Sequence, residues 1–119
     1  MHRGAPHAPR PQSHNKVTAK IPSHGENIRI IPLGGVEEVG KNMTVIEIGQ
    51  DIIVVDAGLQ FRTAETPGIY YIIPNTKYLE ERKDRVRAMI ITHGHLDHIG
   101  AIPYVMEKIG NPPLYSREL

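Results

Sequence analysis

Three histidines and one carboxylate fall within six residues of this 119-residue chain: His93-Gly94-His95-Leu96-Asp97-His98. Every histidine beyond residue 27 lies in that segment. Neutral imidazole and carboxylate suit zinc or manganese. His93 and His95 are two apart, so in extended backbone they project to the same side and can share one ion. Asp97 and His98 lie past the bend and can face a second ion. Gly94 gives the turn freedom to bend. Two ions about 3.5–4 Å apart can clamp an attacking hydroxide and a scissile phosphate. Two blander readings compete. The histidines can cap a helix and bond the backbone, or hold a structural zinc, a closed site that normally takes four ligands and often cysteine.

Two further segments carry chemistry. Asp56 ends an apolar run in Val55-Asp56-Ala57-Gly58. A carboxylate there is costly unless hydrogen-bonded. It reads either as a group that orients a metal-bound histidine or as a turn former ahead of glycine. With the histidine turn on another strand of the same sheet, the first reading is preferred. The segment from Gly34 to Asn42 is glycine-rich and follows a strand, so its backbone can approach a phosphate. It lacks the spacing of a P-loop, Glu37 and Glu38 would repel RNA if both faced the site, and a plain mobile loop is the competing reading.

The elements that must position these residues follow from the apolar pattern. Strands are predicted at Ile28–Leu33, Met43–Ile48, Asp51–Asp56, Val86–Thr92 and from Leu114-Tyr115. Gly49-Gln50 reads as a tight hairpin turn. The run Ile52-Ile53-Val54-Val55 predicts burial on both faces. Residues 59–74 read as loop. Asn75 is expected to cap a helix reaching about Asp84, with Tyr78, Leu79 and Arg82 at helical spacing. A second helix is expected over Ile99–Ile109, with Ile102, Val105, Met106 and Ile109 on one face, Pro103 in its first turn and Gly110 as its stop. This β-ββ-α-β-α-β order is that of an α/β protein, half of a sandwich. The stretch 28–119 is marginal for a self-sufficient core and reads as cut rather than finished.

Composition sets the outer bounds. There is no cysteine, so disulfides and thiolate metal sites are excluded. No apolar run is long enough to span a bilayer, and no secretory signal is recognisable. A cytosolic setting fits. Residues 1–27 hold four cations against Glu26 alone, with four prolines and four histidines lacking regular spacing. They read as a disordered basic tail, either a plain solvated leader or a weak RNA contact. The body is left mildly acidic, because the whole chain is only +1.

The histidine segment matches the HxHxDH motif of the metallo-β-lactamase superfamily, and Asp56 matches the aspartate that precedes it there. The flanks narrow the likeness. Ile31-Pro32-Leu33-Gly34-Gly35-Val36-Glu37-Glu38-Val39-Gly40-Lys41-Asn42-Met43 resembles the opening of the bacterial ribonuclease J family. So do Asp56 to Phe61, Ile73-Pro74, Tyr78-Leu79 and Ile99 to Tyr104. The resemblance covers about residues 28 to 119. It implies the N-terminal half of an αββα sandwich, truncated before a β-CASP insertion. It also implies a zinc ribonuclease of the cytoplasm that degrades RNA 5′ to 3′, cuts internally, matures ribosomal RNA and turns over messenger RNA.

By motif matching, His93 and His95 would hold one zinc, and Asp97 and His98 a second, with manganese as the alternative metal. Asp97 would also orient the attacking hydroxide, and Asp56 would support the ligands. The remaining ligands, the 5′-phosphate pocket and a dimerisation region would lie beyond Leu119, so this chain alone is expected to be inactive. Members often carry aspartate where Tyr71 and Asn75 stand here. Two rivals remain: a hydrolase of esters, thioesters or lactams on the same fold, and a non-catalytic domain that binds metal or a partner. The glycine-rich segment argues against the first.

Overall fold

The computed structural model describes Gly25 and residues 27 to 118; the tail expected over residues 1–27 lies almost wholly outside the described residues. Five strands form one mixed sheet in the order β1-β2-β3-β6-β7. These are β1 (Ile28–Gly34), β2 (Met43–Ile48), β3 (Asp51–Val55), β6 (Val86–Ile90) and β7 (Leu114–Tyr115). β1, β2 and β3 run antiparallel in sequence, while β6 is parallel to β3 and β7 is parallel to β6. The expected hairpin is present: Ile48 pairs with Asp51 across Gly49-Gln50, and Gly49 takes the left-handed backbone (φ 56°) that such a two-residue turn requires.

Period-two burial sorts the sheet into two faces. Met43, Val45, Ile52, Val54 and Met89 point to one side and are fully buried with Leu79, Ala101, Val105 and Ile109 from the helical segments. The other face is uncovered at its margin, where Ile28 and Ile30 are 63% and 70% exposed. The run from Ile52 to Val55 is therefore buried on one face and only partly on the other, a correction to the two-sided burial expected of it. A sheet apolar on both faces with helices on one is the half-sandwich that the pattern predicts.

Three expected elements differ. The stretch 59–74 is not all loop: β4 (Gln60–Phe61) and β5 (Tyr71–Ile72) pair as a small ribbon. The helix expected from Asn75 to Asp84 shrinks to α1 (Lys77–Glu80), with Thr76 at the N-cap position but without a side-chain cap bond, followed by a 3-10 turn at Lys83–Arg85. Asn75 instead accepts the Lys77 N–H at 3.0 Å. The tighter turn delivers Arg85 to the carbonyls of Gly49 and Gln50.

The third difference touches the site. The last helix starts within the histidine segment rather than after it, as α2 (Leu96–Ile99), and breaks before α3 (Ile102–Val105). Three successive carbonyls are diverted from the helix ladder. Asp97 C=O accepts the Asn42 N–H at 3.0 Å, His98 C=O accepts the Ala57 N–H at 2.8 Å, and the ring of Pro103 leaves Ile99 without its usual donor. The expected strand Val86–Thr92 likewise ends at Ile90: Ile91 N–H still donates to Tyr115 C=O at 2.9 Å, but Thr92 N–H turns to the Asp56 carboxylate at 2.8 Å. Among the described residues, no helix is long and apolar enough to cross a membrane.

Candidate metal centre

The site forms at the carboxyl ends of the parallel strands β3 and β6, where α/β sheets generally bind ligands. Asp56 is the first residue past β3. It is buried and left-handed (φ 62°), a conformation that aspartate tolerates better than most residues. Its N–H donates to Ile90 C=O at 2.9 Å, which docks it beside the end of β6.

The carboxylate then receives three donors. Thr92 N–H reaches Oδ1 at 2.8 Å, Thr92 Oγ1–H reaches Oδ2 at 2.7 Å, and His98 Nδ1 lies 2.7 Å from Oδ2. A carboxylate only accepts, so the His98 proton sits on Nδ1. Thr92 has one hydroxyl proton and gives it to Asp56. At the His93 Nδ1 contact of 3.0 Å, Thr92 Oγ1 must therefore accept. Both imidazoles thus carry their proton on Nδ1 and turn Nε2 outward as the acceptor atom, the form in which histidine binds a metal; at His98 that Nε2 faces Asn42 Nδ2 at 3.3 Å.

The four motif side chains are gathered, but unequally. The His93 ring lies 4.0 Å from the His98 ring and 4.8 Å from the His95 ring, centroid to centroid. His98 Nε2 and Asp97 Oδ2 converge to 3.4 Å. Among the described residues, no group of three His, Asp or Glu side chains is arranged to hold an ion by itself. The donor set still fits a divalent cation, because imidazole nitrogen and carboxylate oxygen are borderline or hard ligands.

Sequence reasoning missed Asn42 and Thr92 as parts of this site. Asn42 Nδ2 lies 3.0 Å from Asp97 C=O, 3.2 Å from Asp97 Oδ2 and 3.3 Å from His98 Nε2. Gly58 is what permits this approach, because a Cβ there would stand 1.5 Å from Asp97 C=O. Within the glycine-rich loop, Glu38 folds back on Gly35 N–H and Lys41, so it does not face the site. Those two partners lower its carboxyl, the Lys41 bond more than the Gly35 bond. Tyr71 stacks on Tyr104 with ring centroids 5.1 Å apart, away from the ligand cluster.

The sequence reading also passed over Glu47, which is buried near the hairpin end of β2. Burial alone would raise its carboxyl. Hydrogen bonds from Tyr78 (2.5 Å), Arg29 (2.6 Å) and Arg85 outweigh it and hold the group at about 2. A glutamate at a core position of a period-two strand was the signal that could have found it.

The Metallo-beta-lactamase superfamily profile matches residues 36–119, and the chain belongs to that superfamily. Within it, the chain is similar to proteins named ribonuclease J. It is 52% identical to "Ribonuclease J2" of Bacillus subtilis (strain 168) over 94 residues, 79% of this chain and 17% of the relative. Against "Ribonuclease J" of Synechocystis it is 40% identical over 92 residues, 77% of this chain and 14% of the relative. Against "Ribonuclease J 2" of Staphylococcus aureus (strain NCTC 8325 / PS 47) it is 42% identical over 99 residues, 83% and 18%. The chain thus spans less than a fifth of each of these relatives.

Proposed function

We propose that residues 28–119 form the first part of the catalytic domain of a metal-dependent ribonuclease. The observation that carries the reading is Asp56, which holds His98 Nδ1 directly and His93 Nδ1 through Thr92 Oγ1, at the end of the sheet. His93 and His95 would hold one ion, and Asp97 and His98 a second, both zinc, with manganese as the alternative metal. A bound divalent cation supplies a water acidic enough to attack at neutral pH and offsets charge on a phosphate. The chain's own part is to hold the imidazoles in one tautomer, to aim Asp97, and to keep the ligand backbone rigid through Asn42, Ala57 and Gly58.

The substrate is RNA, cleaved at phosphodiesters both from the 5′ end and internally, in ribosomal RNA maturation and messenger RNA decay. Names of the relatives support the substrate. The reading carries a cytoplasmic location, no membrane association, and self-association through parts of a longer protein. With two ligands for each ion, the chain by itself binds metal weakly and turns RNA over little or not at all.

Two measurements test this. The purified chain, given Zn²⁺ or Mn²⁺, should hydrolyse RNA negligibly. Robust turnover that His95→Ala abolishes would overturn its inactivity alone. A chimera in which this chain replaces the matching segment of the B. subtilis relative should hydrolyse RNA and lose that activity on His95→Ala. Activity that survives the substitution sinks the ribonuclease reading.

A further inference from the structure

We propose that Asn42 is a positioning residue whose side-chain amide sets where Asp97 and His98 present their ligating atoms, an inference that rests on the metal-centre reading above. Two lone pairs that face each other across 3.4 Å, on Asp97 Oδ2 and His98 Nε2, repel unless a donor stands near both. Asn42 Nδ2 is that donor, 3.2 Å from the first and 3.3 Å from the second. Its backbone makes the placement rigid. Asn42 N–H donates to Asp97 C=O at 3.0 Å and Asn42 C=O accepts the Gly58 N–H at 2.9 Å.

The glycine-rich loop makes room for the amide. A Cβ on Gly35 would stand 2.2 Å from Asn42 Oδ1, so only the bare glycine admits this side chain, whose nitrogen faces the ligands. Gly35 itself is left-handed (φ 85°). The loop therefore acts as a seat for Asn42. Without the amide, the Asp97 side chain, already 41% exposed, swings toward water and the two ligating atoms separate.

The test is a Zn²⁺ titration of the chain followed by NMR of its histidine side chains, in wild type, Asn42→Ala and Lys41→Ala. Removing the amide should weaken apparent Zn²⁺ affinity about tenfold or more, in line with lost support of a metal ligand. Lys41→Ala, which loses only a loop ion pair, should titrate like wild type. The Co²⁺-loaded visible spectrum should shift in Asn42→Ala alone, a change that a merely structural role would not produce. Wild-type affinity and spectrum in a folded Asn42→Ala overturn the proposal. If that variant does not fold, the wild-type Asn42 side-chain amide decides. Its resonances should move with Zn²⁺ at the same midpoint as His98, and an unmoved amide overturns the assignment. Wild-type histidines that ignore Zn²⁺ overturn the metal-centre reading as well, which separates the two failures.

Discussion

Glu47 and Asp56 are both buried carboxylates, 1% and 5% exposed, at opposite ends of the same pair of strands. Glu47 sits across from Ile52 near the start of β3, and Asp56 follows the end of β3, about 13 Å further on at strand rise. Glu47 is enclosed by two guanidinium groups and a phenol. Its partners are permanent donors, so the cluster is closed and does nothing but hold β1, β2, α1 and the 3-10 turn together. Asp56 is matched with groups that have a second side: a threonine hydroxyl that relays to His93 and an imidazole whose other nitrogen is turned to Asn42 and Asp97. Buried charge of equal depth can be structural or can prepare a site. What separates the two is whether the partners keep a free atom facing the cleft.

The largest effect is expected from Glu47→Ala. Leaving Arg29 and Arg85 without this partner should cost about 3–5 kcal/mol of stability, read as a lower urea midpoint. Zn²⁺ affinity measured under folding conditions should stay put. A changed affinity would break the contrast between the two ends. Asp56→Asn should do the reverse. It keeps the size and tolerates the left-handed backbone, but its amide can present a donor to His98 Nδ1 and favour the other tautomer. Metal affinity should fall about 10–100-fold with a smaller loss of stability. A proton moved to His98 Nε2, read by ¹⁵N NMR, is the direct check.

The Glu47 cluster also sets an acid limit. The group lies at about 2 in the folded chain and near 4.5 ordinarily. Its stabilisation is therefore complete above its ordinary value and is lost as pH falls from there through about 2. The stability gap between wild type and Glu47→Gln should hold constant above pH 5 or so and close toward pH 2. A gap that widens on acidification reverses the sign and refutes the assignment. The smallest effect belongs to Arg87→Ala. Arg87 and Asp51 pair at 2.7 Å, but both are more than half exposed, so about 0–1 kcal/mol is expected. A loss of several kcal/mol there would blur the distinction between buried and surface charge.

Much of this arrangement was legible from residue order. Strand positions followed from β-branched runs, the hairpin from Gly49-Gln50, and the ligand cluster from the density of histidines between Thr92 and Ile99. Helix lengths were not legible. α2 and α3 look continuous by periodicity, yet the carbonyls of Asp97 and His98 are claimed by Asn42 and Ala57, more than forty residues earlier in the chain. The 59–74 ribbon was hidden for a similar reason: two-residue strands carry too little pattern to stand out. Asn42 looked like the end of a flexible loop because its partners are distant in sequence.

Residue types alone determined which groups can ligate a cation, because imidazole and carboxylate chemistry is local to each side chain. They also determined that this chemistry lies at a strand-to-helix bend, since the change from period two to period 3.6 is written in neighbouring residues. The tertiary structure alone decided which nitrogen of His93 and His98 carries the proton, which carboxylate orients a ligand and which braces the sheet. Those outcomes depend on hydrogen bonds between residues tens of positions apart, and a hydrogen bond is fixed by distance and direction in space, not by separation along the chain.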